Sequence, residues 1–371
     1  MRLSGKSITI IGGGIAGLAA ARALALRGAS VQVHEAAPQI AEVGAGLQLS
    51  PNGMVVLQAL GLGHAIRDVS LATQAVILRD YRRGAEVVRL GLSDRAGFHL
   101  IHRARLIEVL LAGAKDAGAR IITGSRLGPD SAAGDLVVGA DGLHSSVRSA
   151  LGPAPKARFT GQVAWRAVID ARGDADPVAE VFMAPGRHIV SYPLAGGLRN
   201  IVAIEERAAW AEEGWTHEGT PAELRAAFEG FGGPVPTWLG AVGKVHVWGL
   251  HRHEVAQHWH DDRRVLLGDA AHPTLPFLAQ GANMALEDAW VLARCLDADD
   301  QAQALARYQG LRRDRTARIV AAANDNARNY HLRGPARLGA HLALRLAGTL
   351  APGALMKRYE WLYGHDVTAK T

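Results

Sequence analysis

Residues 7–35 read SITIIGGGIAGLAAARALALRGASVQVHE, and the order of residue types in this stretch decides the fold. Ser7 to Ile11 is a β-branched apolar run, the pattern of a buried strand. It ends in Gly12, Gly14 and Gly17, spaced GxGxxG, and a helical pattern follows until Gly28 closes it. A second strand, SVQVHE, ends on Glu35. Strand, glycine turn, helix, strand and acid together form the dinucleotide-binding unit of a Rossmann-like α/β domain. Gly12 permits the tight turn, Gly14 lets the backbone approach a pyrophosphate, and Gly17 lets helix and strand pack closely. The helix N-terminus offers free N–H groups and partial positive charge to a phosphate. Glu35 is placed to accept hydrogen bonds from ribose hydroxyls. Its charge disfavours a 2′-phosphate, so FAD or NAD suits the unit better than NADP.

Two later stretches share this grammar. DLVVGADGLHSSVRSALG (135–152) is a buried strand ending at Asp141, with Ser145 and Ser146 as candidate caps of a following helix. VLLGDAAHPTLPFLAQGANMALEDAW (265–290) is a strand running into Asp269, a proline-bearing loop, then a helix led by Gly281. Each carboxylate could serve only as a local cap or turn former.

Composition sets the outer limits. A chain of 371 residues, 49% hydrophobic and 20% charged, is long enough for two domains and an ordinary globular core. The net charge of +6 favours small anionic partners, and no basic run of nucleic-acid-binding length occurs. Cys295 is the only cysteine, so no disulfide within the chain and no cysteine-rich metal site is expected, which fits a reducing cytoplasm. The apolar start is broken by glycines and Arg22, unlike a signal peptide. GAHLALRLAGTLAPGALM (339–356) carries Arg345 and Pro352 and is too interrupted to span a bilayer, so it reads as an amphipathic helix packed on the body.

Between the cofactor motifs the period changes to two. Thr73 to Leu92 reads as a hairpin turning at RRGAE, and residues 160–250 hold GQVAWRAVID, RHIVSYPL, RNIVAIEE and VHVWGL, with a helix signal in TPAELRAAFEGFG. This predicts a β-sheet-based substrate domain interleaved with the cofactor domain. The boundaries are 1–70, 99–160 and 251–300 for the cofactor domain, and 71–98 and 161–250 for the substrate domain. A helical region takes up 301–371. In RHIVSYPL, His188 and Tyr192 lie four apart, so on a strand they share one face. Trp165-Arg166 could put a cation near a substrate carboxylate, or be a packed Trp beside a surface Arg.

The three glycine-bearing motifs in this order, with VGAGLQLSPNGMVVLQALGLG (43–63), LIHRARLIEVLL (100–111) and WLYGHD (361–366), resemble the single-component FAD-dependent aromatic hydroxylases related to para-hydroxybenzoate hydroxylase. The match is nearest the salicylate and 3-hydroxybenzoate branch and covers nearly the whole chain. The resemblance implies a FAD-binding domain of the glutathione-reductase type. It also implies hydroxylation of a small anionic aromatic substrate with NADH or NADPH and O₂, through a flavin C4a-hydroperoxide. Asp269 is then expected on the ribityl chain, and Arg103 on the flavin or pyrophosphate. Asp141 is implied in FAD and NAD(P)H handling. The helix opening with Gly281, Ala282 and Asn283 points its N-terminus at the flavin's pyrimidine edge. His188 is implied as the base for the phenol, helped by Tyr192, with Gln280 beside the reacting ring. His272 is expected to shape the loop rather than act as a base. The branch leaves open a heteroaromatic or non-aromatic substrate, or a FAD-dependent oxidase or dehydrogenase, in a monomer or homodimer. Two departures stand out: the segment 124–134 is short for the family, and Arg105 replaces the acid of HRxDL.

Overall fold

The structure, a computed structural model, describes residues 2–40, 45–92, 97–153, 155–173, 176–210 and 217–369. Val43 and Gly44 of the 43–63 motif therefore lie outside the described residues. The chain begins β1 (Ser7–Ile11), α1 (Ile15–Ala25), β2 (Ser30–His34), β3 (Gly46–Leu49), α2 (Pro51–Ala59), α3 (Gly63–Asp68) and β4 (Ser70–Ala72). It continues β5 (Ala75–Asp80), β6 (Glu86–Gly91), β7 (His99–His102), α4 (Arg103–Asp116), β8 (Arg120–Ile122), β9 (Leu136–Gly139) and α5 (Ser146–Leu151). The middle is β10 (Arg158–Asp170), β11 (Val178–Ala184), β12 (Arg187–Leu194), β13 (Leu198–Glu206), β14 (Glu218–Gly219), α6 (Pro221–Ala227), α7 (Val235–Gly240), β15 (Val245–Arg252) and β16 (Arg264–Leu266). Helices close the chain: α8 (Gly281–Ala298), α9 (Gln301–Tyr330), α10 (Gly334–Leu350), α11 (Pro352–Lys357) and α12 (Glu360–Tyr363).

The Rossmann-like layer is a five-stranded parallel sheet in the order β16-β9-β1-β2-β8. Its strands read as continuous apolar runs because both faces are covered, with β9 buried throughout. The glycine spacing has a steric cause. A Cβ on Gly12, at φ +107°, would lie 2.2 Å from the carbonyl oxygen of Ala140, and one on Gly17 would lie 2.0 Å from that of Gly12. The turn and the close approach of α1 to β9 thus require glycine at both places. The short segment after β8 leads straight to β9 without another strand.

The second layer is an eight-stranded sheet in the order β14-β15-β10-β13-β12-β11-β5-β6. The expected hairpin is β5-β6, and it joins this sheet through β11, which runs parallel to β5. Alternation along the strands splits the faces. Trp165, Phe182, Ile189 and Ala203 pack with α6 and α7 in one core, while their neighbours Arg166, Met183, His188 and Ile204 face the other way. A small sheet in the order β3-β7-β4 packs against β12 and β13 of the eight-stranded sheet and was not legible in the sequence. No helix among the described residues is long and apolar enough to cross a membrane.

Candidate active site

A cavity of about 750 Å³ runs from the first turn of α1 to the inner face of the eight-stranded sheet. At one end it is walled by backbone: Gly14, Ile15 and Ala16 at the start of α1, and Gly281 and Ala282 at the start of α8. Neither helix has a side-chain cap, so the N–H groups of both first turns and both positive dipole ends converge there. A Cβ on Gly14 would meet nothing within 4 Å and would fill cavity space. Glu35 lies below, its carboxylate accepting the N–H of Gly13 at 2.7 Å and of Ala37 at 2.8 Å.

Asp269 and Arg103 line the same end. Asp269 is exposed to the cavity it lines, although protein atoms crowd its carboxyl. Burial holds its carboxyl above the ordinary range, partly offset by His272 and Arg103. A buried lattice fixes the loop that carries it. On α8, Asp288 accepts the N–H of Gly268 at 3.0 Å and contacts Nε2 of His272 at 2.5 Å, clamping both ends of the turn. Arg312 of α9 donates to Asp288 at 2.7 Å and to Glu287, and Arg315 pairs with Glu287 at 2.8 Å. Burial works against the charge on Asp288, but His272, Arg312 and the Gly268 N–H outweigh it and hold the carboxyl at about 2. His272 therefore shapes the loop, as the sequence implied.

Two of the expected cofactor residues have side chains bonded within the protein. Asp141 does not line the cavity: its carboxylate accepts Ser145 Oγ at 2.5 Å and the Ser146 N–H at 2.7 Å, anchoring the start of α5, while Ala140 and Gly142 face the cavity. Asn283 is turned toward β3, where it accepts the Ser50 N–H at 3.0 Å and donates to Gln48 at 3.1 Å. Gln280 lines the cavity, but its amide is tied to Ser50 at 3.0 Å and Asn52 at 3.1 Å. Just before it, Ala279 holds φ +52°, the only positive φ of a non-glycine among the described residues. Such strain marks a turn that its surroundings force, here the entry to α8.

The other end is built of side chains. His188 and Tyr192 emerge from one face of β12 into the cavity. Arg166 lines it from β10, its guanidinium 5.0 Å from the ring centre of Trp248, while Trp165 packs in the opposite core. His188 is 1% exposed and its Nδ1 lies 2.7 Å from Nε2 of His331, so Nε2 is the nitrogen left for a ligand. Burial, then His331, pushes its pKa well below the usual value, and the ring is neutral at ordinary pH. Burial raises the Tyr192 phenol well above its usual range despite Arg166, so it stays a hydrogen-bond donor. Among the described lining residues Arg103, Arg166 and Arg358 face one carboxylate, Asp269, a balance that attracts anions. Arg358 and Tyr330, from the C-terminal helices, gave no signal in the sequence.

The profile of the FAD binding domain family matches residues 6–133 and 121–323. The chain is 38% identical to the 3-amino-4-hydroxybenzoate 2-monooxygenase of Streptomyces cremeus, over 88% of each chain. It is 34% identical to the 3-hydroxybenzoate 6-hydroxylase of Polaromonas naphthalenivorans, over 97% of this chain and 96% of that one. The chain belongs to the FAD-dependent aromatic hydroxylases. It is an FAD-dependent monooxygenase of the aromatic hydroxylase type. The fold agrees: the crystal structure of Klebsiella pneumoniae HpxO complexed with FAD and uric acid superposes with a TM-score of 0.86 at 26% identity, over 97% of this chain and 98% of that one. Two uncapped helix ends, an open glycine and an inward carboxylate form a cradle that fits this hydroxylase's FAD.

Proposed function

We propose that this hydroxylase adds one oxygen atom of O₂ to an aminohydroxybenzoate or hydroxybenzoate, using NADH or NADPH as reductant. FAD, when bound, supplies the redox and oxygen chemistry. Residues 1–70, 99–160 and 251–300 hold it, by the α1 and α8 N-termini, Glu35, Arg103 and Asp269, and residues 71–98 and 161–250 supply the substrate wall. Arg166 binds the substrate carboxylate, and Tyr192 donates a hydrogen bond to the phenol oxygen. His188 accepts the phenol proton at Nε2, because a phenolate ring is the better nucleophile. The apolar residues around them, Phe277 and Trp248 among them, keep water from the reacting ring.

One observation carries this reading: His188 and Tyr192 share a cavity with Asp269 and the two helix N-termini. The names of the relatives indicate the ring class. The test is NADH and NADPH oxidation by the purified holoenzyme over 3-amino-4-hydroxybenzoate, 3-hydroxybenzoate, salicylate and pyridine acids, with product and peroxide measured together. Product matching the reductant consumed, for one of the benzoates, is the expected result. Peroxide alone with every compound would make the enzyme an oxidase, and coupled turnover of a pyridine acid alone would move the substrate to the heteroaromatic class.

A further inference from the structure

Behind His188 lies a contact that the chemistry above does not use. Its Nδ1 is 2.7 Å from Nε2 of His331, and the other nitrogen of His331, Nδ1, is 3.0 Å from Oε1 of Glu206. His331 is buried and Glu206 is 41% exposed, so the three side chains lead from the cavity wall to water. Local structure fixes each member. His188 stands opposite Ile204 in the β12–β13 register, two residues before Glu206, the last residue of β13. His331 caps the C-terminus of α9, and its carbonyl accepts the N–H of Gly186 in the turn before β12 at 3.3 Å. The Gln162 amide lies 3.3 Å from Nδ1 of His331, and Arg333 pairs with the second carboxylate oxygen of Glu206 at 2.5 Å.

We propose that His188, His331 and Glu206 form a proton-exit relay that carries the phenol proton of the substrate to solvent. The proposal rests on the reading that His188 is the base. The phenol O–H bond breaks and its proton joins Nε2 of His188, while the electron pair stays on the phenolate oxygen. At the same time Nδ1 of His188 gives its proton to Nε2 of His331, and Nδ1 of His331 gives its proton to the Glu206 carboxylate, which releases it to water. Both imidazoles end neutral in the opposite tautomer, and no charge is left on either ring. The same path in reverse resets the tautomers when the product phenolate takes a proton before leaving.

The surroundings explain why the base needs a second histidine. His188 faces Tyr330 and His331 of the α9 end, Phe277, and Tyr192 on its own strand, none of which is an anion. A buried imidazole without a counter-charge holds an added proton poorly, as the depressed pKa of His188 indicates. The available carboxylate, Glu206, is one ring further out, beside Arg333. His331 supplies the missing step. It acts through His188 and is a positioning and relay residue, one that does not touch the substrate.

The experiment is stopped-flow binding to the FAD holoenzyme in lightly buffered solution with a pH-indicator dye. The probe is the tightest binder among 3-hydroxybenzoate, salicylate and 3-amino-4-hydroxybenzoate, and phenolate absorbance is followed beside dye colour. In the wild type, phenolate formation and proton release run together. His331→Gln and Glu206→Gln should slow both by about tenfold or more while substrate affinity stays within about twofold. A merely structural role would move affinity and leave the proton rate alone. Glu206→Gln, at a half-exposed position, decides if His331→Gln does not fold. Wild-type proton rates in both variants, with His188→Ala still blocking phenolate formation, would overturn the relay and leave the base assignment standing. Unchanged phenolate formation in His188→Ala, or no binding of any of the three compounds, would overturn the base assignment and the relay with it.

Discussion

The two ends of the cavity are made differently. The cofactor end is mostly backbone: glycines and two helix N-termini, joined by Arg103 and one carboxylate on a clamped turn, all drawn from contiguous motifs. The substrate end is side chains from β10, β12, β15 and the end of α9, drawn from positions as distant in sequence as Arg166 and Tyr330. Backbone recognition suits a ligand whose phosphates and sugar need many N–H groups at fixed positions. Side-chain recognition can be altered one position at a time. This division gives one end its generality and the other its substrate choice.

Substitutions can break this contrast, and the largest effects should fall on the cofactor side as losses of stability. Arg312→Met leaves Glu287 and Asp288 buried with fewer counter-charges, and a loss of about 3–5 kcal/mol is expected in denaturant unfolding. The same lattice gives an acid signature. Asp288 is held at about 2 against an ordinary 3.8, so its stabilisation is present above about pH 4 and is lost as pH falls toward 2. A melting temperature that ignores this window would remove Asp288 from the account. Gly12→Ala, with its φ and its contact to Ala140, should cost about 3 kcal/mol and yield protein with little bound FAD, read by flavin absorbance per chain.

On the substrate side, chemistry should suffer and the fold should not. His188→Ala is expected to lower kcat by about a hundredfold with FAD content unchanged. Arg166→Met should raise KM for carboxylate-bearing rings by about tenfold and have a smaller effect on phenols lacking the carboxylate. The smallest effect sharpens the boundary: Leu342→Gln, on the outer face of α10 at 59% exposure, should change neither stability nor turnover measurably.

The sequence carried the cofactor end well because each piece is local. A strand, a glycine turn and a helix announce themselves within 30 residues, and sterics at Gly12 and Gly17 leave little choice. The substrate face was legible only as periodicity. His188 and Tyr192 could be paired because a strand puts i and i+4 on one side, yet His331 and Glu206 join them only through folding. The bonds by which Asp141 ties its own helix and Asn283 a neighbouring strand were not legible, since a glycine-turn motif does not show which way a side chain points. The sheet of β3, β4 and β7 was missed because strands of three or four residues carry almost no period.

The decisive comparison is between wild type and His188→Ala, for bound FAD and for hydroxylated product formed per NAD(P)H consumed, with the best substrate of the benzoate panel. Equal FAD in both proteins is expected, with near-stoichiometric product in the wild type and product formation slowed about a hundredfold in the variant. Equal product rates in the two proteins would contradict this, because the side-chain end would then take no part in preparing the ring.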